Sequence, residues 1–239
     1  MQRIGVQNMK SIFFDLDDTL YDQLQPFQEA YTRVFSTFTD ISILELFKKS
    51  REYSDKVFAL TESGEMSLEK MHQYRMINAF QDFGYTITTD EADAFQKEYK
   101  DRQYNVTLIP EMKNIFHYLS SKGIPVYVTT NGPSAHQRLK LDSLDIYKWI
   151  PKTNIFISSE VGYAKPQKEF FQYVNQKTNT TNVDSFMVGD SLENDIMGAH
   201  YAGWNSIWIN TKNKTNELIH PTYEIKSYQQ LEERIQKLF

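Results

Sequence analysis

The ten residues Ser11–Leu20, SIFFDLDDTL, constrain this chain more than any other stretch. Ile12, Phe13 and Phe14 leave no polar face, which is the pattern of a strand covered on both sides in a parallel sheet. Asp15, Asp17 and Asp18 then set three carboxylates within four residues. Like charges this close resist joint ionisation unless a cation or a division of roles offsets the repulsion, and a divalent metal is the simplest remedy. In extended backbone Asp15 and Asp17 point to one side and Leu16 to the other. Two carboxylates then share one site, one suited to attack and one to moving protons. An acidic turn after a strand is the plain alternative.

Beyond Thr19 the pattern is helical for about eighty residues. Phe27, Ala30, Tyr31, Val34, Phe35 and Phe38 recur at three- and four-residue spacing behind Pro26. Further helices are predicted near 42–60, 67–83 and 90–102, with Gly84 capping the third. From Pro110 the pattern becomes alternation. Helices at 111–121, 134–143, 166–176, 192–201 and 227–238 separate strands at 124–129, 154–158, 185–188, 206–210 and 223–225. Such alternation predicts a parallel sheet with right-handed crossovers, with the first strand inside it. The expected fold is α/β, a Rossmann-like parallel sheet flanked by helices. Residues 1–21 and 106–239 form the core domain, and 22–105 an inserted four-helix domain.

Composition narrows the function. With 40% hydrophobic residues, 16 Phe and 15 Tyr among 239 residues, the chain is long and apolar enough for a sizeable core. The formal net charge is -5 and no basic block stands out, so a polymeric nucleic acid is not an expected partner. Cysteine is absent, which removes disulfides, thiolate metal sites and cysteine nucleophiles. MQRIGVQNMK lacks a signal-peptide core, and no apolar run approaches membrane-spanning length. A soluble cytoplasmic protein without membrane contact is expected. Residues 1–8 read as a dispensable extension ahead of Met9.

Ligands of open parallel sheets bind beyond the carboxyl ends of the strands, and here those ends are polar. Thr130, Asn131 and Gly132 follow one strand, a set able to hold phosphate oxygens. Lys165 precedes Pro166, expected at the first helical position, and its ammonium is placed to neutralise Asp15 and a phosphate. Asp190 ends another strand, and Asp195 lies about one turn into the helix predicted after it, where a solvated position is the plain reading. Hard oxygen ligands of this kind suit Mg²⁺.

These residues resemble the motifs of the haloacid dehalogenase-like hydrolase superfamily along nearly the whole chain. FFDLDDTL is similar to its first motif, VTTNG to the second, AKP to the lysine motif and GDSLEND to the fourth. The helical insertion resembles the cap domain of that family, expected to close over the active site. The resemblance implies that Asp15 is a nucleophile forming an aspartyl phosphate and Asp17 the general acid and base. It implies that Thr130 and Asn131 bind phosphate and that Lys165 steadies charge. Asp15, the backbone carbonyl of Asp17, and Asp190 would hold Mg²⁺, with Asp195 ordering the ligands. An Asp at position 17 argues for phosphoryl transfer over dehalogenation.

DTLYD and PTYEIKSYQQLEE most resemble the group of pyrimidine and noncanonical 5'-nucleotidases. The expected substrate is a small phosphomonoester, with nucleoside 5'-monophosphates leading. A sugar phosphate phosphatase, a phosphomutase and a non-catalytic phosphate-ligand sensor are the alternatives, and oligomeric state is left open between monomer and dimer. The aromatics Phe27, Tyr31, Phe35 and Tyr53 are expected to pack helices, and Arg33, Lys48, Lys49 and Arg75 to be solvated.

Overall fold

The computed structural model describes residues 10–217 and 219–239; the expected extension before Met9 lies outside them. The chain divides into two compact units, one running to Asp22 and resuming at Thr107, the other Gln23–Val106.

The first unit is built on a six-stranded, wholly parallel sheet. Its strands are β1 (Ser11–Phe14), β2 (Val126–Thr130), β3 (Ile155–Ile157), β4 (Ser185–Gly189), β5 (Asn205–Ile209) and β6 (Tyr223–Ile225), in the order β3-β2-β1-β4-β5-β6. β1 is central and buried throughout, as its unbroken apolar run requires. Phe14 is in register with Val128 of β2 and Val188 of β4. Successive residues of β1 serve opposite faces. Phe13 stacks on Tyr127 and meets Trp204, within a cluster that includes Phe170, Phe171 and Met187. Phe14 meets the edge of Phe116 on the other side.

The second unit holds α1 (Leu24–Val34), α2 (Ile43–Lys56), the five-residue α3 (Phe58–Glu62), α4 (Leu68–Gln81) and α5 (Thr89–Gln103). Ser42, Ser67 and Thr88 cap three of these through their hydroxyls, and Thr88 completes a capping box with Glu91. Phe27, Tyr31, Phe35, Phe80 and Phe95 form its core, with Tyr53 packed at the margin, so these aromatics pack helices as expected. The expected second helix divides in two at Val57.

The helices of the first unit are α6 (Pro110–Ser121), α7 (Ser134–Ser143), the short α8 (Ser158–Val161), α9 (Lys168–Thr178), α10 (Gly198–Ala202) and α11 (Tyr228–Leu238). Two details differ from expectation. α9 begins at Lys168, so Pro166 lies ahead of the helix and not at its first position. Leu192–Met197 forms a π-helical turn before α10, in place of a continuous α-helix.

Candidate active site

Strand order reverses about β1, and the crevice beyond the carboxyl ends of β2, β1 and β4 is where such sheets bind ligands. Asp15 follows β1 directly, its N–H donating to the Val188 carbonyl at 2.9 Å. Its carboxylate accepts from Lys165 Nζ at 2.7 Å. The same ammonium donates to Asp195 Oδ1 at 2.6 Å and to the Thr129 carbonyl at 2.9 Å, so its three protons are all engaged. Lys165 is 3% exposed. Burial would pull the Lys165 ammonium down, but the charges of Asp15 and Asp195 outweigh it and hold it above the ordinary lysine value.

Asp195 is fully buried, not solvated. The π-helical turn swings it inward, where Oδ1 meets Lys165 and Oδ2 accepts from the Ser191 N–H at 3.1 Å. Gly189 makes room for it, since a Cβ there would stand 2.1 Å from Asp195 Oδ2. Asp190 follows β4, and the Trp208 indole donates to its carbonyl at 3.0 Å. Carboxylate oxygens of Asp15, Asp190 and Asp195 lie within 4.8 Å of one another. Burial, with Asp18 and Asp195 nearby, pushes the Asp190 carboxyl up to about 7. Asp15 is pushed well above the ordinary range by burial, which Lys165 only partly opposes. Three carboxylates against one ammonium leave two negative charges when all are ionised. That donor set, all oxygen and doubly negative, fits a divalent cation.

Asp17 sits in a separate nest of donors. Its carboxylate accepts from Lys140 Nζ at 2.7 Å, from Gln137 Nε2 at 3.0 Å and from the Tyr21 hydroxyl. Burial would raise this carboxyl, but the Lys140 charge and those hydrogen bonds hold it below the ordinary value. Gln137 also donates to Thr130 Oγ1 at 2.6 Å and to the Asn131 carbonyl at 3.0 Å, tying Asp17 to the loop after β2. Accepting that bond leaves the Thr130 O–H free to donate.

Asn131 does something the motif does not suggest. Its side-chain amide donates to the Lys165 carbonyl at 2.7 Å and accepts from the Lys165 N–H at 2.9 Å. These two bonds let the side chain fix the lysine loop, while its second amide proton and its backbone N–H remain as donors. Lys140, Gln137 and Tyr21 were missed in the sequence. One signal was present: α7 turns the polar residues Gln137 and Lys140 inward beside Leu141, an odd inner face for a helix lacking an apolar stripe. A cavity of about 550 Å³ opens beside Asp190, with Ser191, Glu193 and Lys214 in its wall.

A parallel sheet with an acidic cluster and a buried lysine beyond its strand ends is a candidate catalytic site, and sequence comparison identifies the family. The profile of the haloacid dehalogenase-like hydrolase family matches residues 12–209. The chain belongs to that family. It is 27% identical to the HAD-hydrolase YfnB of Bacillus subtilis (strain 168), over 95% of either chain. It is 26% identical to the pyrimidine 5'-nucleotidase YjjG of Escherichia coli (strain K12), over 95% of this chain and 97% of that one. A glyceraldehyde 3-phosphate phosphatase of Methanothermobacter thermautotrophicus is 26% identical over 85% of this chain and 87% of its own. The crystal structure of YfnB bound to magnesium superposes with a TM-score of 0.70, covering 96% of this chain and 99% of that chain, at 24% identity. Among the described residues no helix is long and apolar enough to cross a membrane.

Proposed function

We propose that this hydrolase cleaves small phosphomonoesters through an aspartyl-phosphate intermediate, with nucleoside 5'-monophosphates the leading substrate class. The observation that supports it most is the separation of two carboxylates by environment: Asp15 against Lys165 beside the acidic cluster, Asp17 in its own nest of donors. Sites that split two acids in this way assign them different roles.

In this reading an Asp15 oxygen attacks phosphorus while the bond from phosphorus to the ester oxygen breaks. Asp17 supplies the proton to the leaving alkoxide. Lys140, Gln137 and Tyr21 hold Asp17 as a carboxylate at rest, so the proton for this first step arrives with the substrate, whose second ionisation lies near pH ~6. In the second step Asp17 takes a proton from water, the water oxygen attacks phosphorus, and Asp15 is released with free phosphate. Thr130 O–H and the backbone N–H of Asn131 bind phosphate oxygens, and Lys165 steadies the nucleophile and the transferring charge. Asp15, Asp190, the Asp17 carbonyl and, through ordering, Asp195 would hold Mg²⁺, which when bound supplies positive charge against the transferring group. The magnesium reported with YfnB and the doubly negative cluster here support that assignment. Residues 23–106 would act as the substrate-selecting domain.

The similarity to YjjG supports a nucleotidase, and that to the glyceraldehyde 3-phosphate phosphatase supports a sugar phosphate as second choice. The test is phosphate release from UMP, dUMP, dTMP, GMP, several sugar phosphates and an aryl phosphate, with Mg²⁺ or EDTA, using Asp15→Asn as blank. Mg²⁺-dependent release favouring pyrimidine nucleotides is the expected result. Turnover of sugar phosphates alone removes the nucleotidase assignment, and no release from any ester removes the hydrolase reading.

A further inference from the structure

The helical unit carries a charge that its own residues do not balance. Arg75 of α4, expected to be solvated, is 6% exposed. Its Nη2 donates to Gln96 Oε1 of α5 at 2.7 Å, and its guanidinium lies 5.6 Å from the centre of the Tyr99 ring. Nε is buried with no hydrogen-bond partner. Among the described residues no carboxylate pairs with Arg75. Buried arginine is rare without such a partner, because an unpaired charge is expensive to desolvate.

The surroundings add positive charge. Burial, opposed by Tyr99 and helped by the charge of Arg51 on α2, draws the Arg75 guanidinium down to about 10. His72, one turn before Arg75, is lowered to about 4 by burial first and then by the charges of Arg75 and Lys100. The acidic group in reach of His72 is Asp93, and its two oxygens already accept from Gln73 at 3.0 and 2.9 Å. Holding α4 to α5 does not explain an arginine, since a neutral side chain could accept or pack there without a buried charge. Gln96 supplies an acceptor but no negative charge, so the charge of Arg75 stays available, and its own NH₂ remains a donor.

We propose that Arg75, with Gln96 and His72 beside it, forms an oxyanion-binding site in the helical unit that takes a carboxylate or phosphate group. A planar guanidinium beside an aromatic ring, with an unfilled Nε–H, suits an oxygen of such a group. The group belongs either to a second acidic function on the hydrolysed ester or to a separate small acid. The binding half of the claim does not depend on the phosphatase reading.

Arg75→Met and Arg75→Lys in the full chain test it in two arms at constant ionic strength. The first titrates malonate and inorganic sulfate by calorimetry and thermal shift. Wild type binds, and Arg75→Met weakens binding by about 10-fold or more, as loss of a charge-assisted pair requires; Arg75→Lys, which keeps the charge without the fork, falls between. The second compares kcat/KM for glycerol phosphate and phosphoglycerate, which differ by a carboxylate. A selective loss on phosphoglycerate in Arg75→Met assigns the anion to the substrate, and loss in the first arm alone assigns it to a separate acid. Should Arg75→Met fail to fold, Arg75→Lys decides: affinity and ester preference equal to wild type overturn the site. Unchanged binding and unchanged ester ratio in Arg75→Met overturn it equally. Wild type that binds malonate but hydrolyses neither ester assigns the anion to a separate acid and leaves this site standing.

Discussion

Lys140→Met removes one partner of the ion pair that holds Asp17 and keeps most of the stem's packing volume. The pair spans 2.7 Å, and the two side chains are 6% and 22% exposed. At an effective dielectric of about 20 the gross attraction over 2.7 Å is about 6 kcal/mol. Desolvating both ions takes back several kcal/mol, and Asp17 keeps its bonds from Gln137 and Tyr21, so a net coupling of about 2–3 kcal/mol remains. For a chain of this size that lowers Tm by roughly 5–10 °C. The assay is a double-mutant cycle of Lys140→Met and Asp17→Asn by urea denaturation at pH 7. The folded value of Asp17 is depressed, so the stability it contributes is present above the unfolded carboxyl value near ~3.9 and is lost as pH falls through the folded one. The difference between wild type and Lys140→Met therefore shrinks toward pH ~3. A coupling below about 0.5 kcal/mol, or a difference that ignores pH, would refute the pairing as the force that holds Asp17.

The acidic cluster gives two further expected outcomes. Gly189→Ala drives a methyl into Asp195, with 2.1 Å to Oδ2 and 2.4 Å to Cγ, so Asp195 must leave Lys165. A loss of roughly 1–3 kcal/mol is expected together with weaker Mg²⁺ binding by calorimetry; wild-type values for both would contradict the close approach. Asp190 stands raised to about 7, above its unfolded value, so between about pH 4 and 7 the native state binds more protons than the unfolded one. In EDTA, Tm should then fall as pH rises through that window, less steeply in Asp190→Asn, and Mg²⁺ should abolish the fall. An identical slope in the variant would sink the assignment.

The apolar run before Asp15, the alternation after Pro110 and the helical insertion were all readable, because burial on both faces and 3.6-residue periodicity leave direct marks on residue type. Other features left no such mark. Asp195 reads as a metal-ordering residue through the resemblance, with a solvated helical position as the plain alternative at ordinary helical spacing; the π-helical turn that buries it is invisible to periodicity. Asn131 reads as a phosphate ligand because it follows Thr130; that its amide also ties down the lysine loop, 34 residues away in sequence, is not readable from the motif. Lys140 and Arg75 look like surface charges, since most are; their burial depends on which face of α7 and α4 the tertiary packing selects.

Three carboxylates within DLDD suggest that a cation or a division of roles offsets their repulsion, a divalent metal being the simplest remedy. The folded chain relieves it differently. Asp15 is met by Lys165, Asp17 by Lys140 and Asp18 by Lys212, three lysines from three different parts of the chain. Asp18 takes a left-handed turn, φ 57°, and its carbonyl accepts from the Tyr228 hydroxyl at 3.1 Å. Relief is partial for Asp15, which burial holds well above the ordinary range against Lys165, with Asp195 and Asp17 adding to the push. The case for a cation is strongest one strand away, where Asp190 and Asp195 join Asp15 around a single ammonium. Lys165 joins the two arrangements: its ammonium holds Asp15 and Asp195 together, with its third proton on the Thr129 carbonyl. Asp15 and Asp195 are the carboxylates that Lys165 would share with a divalent cation, which if held there would supply further positive charge against the same two groups.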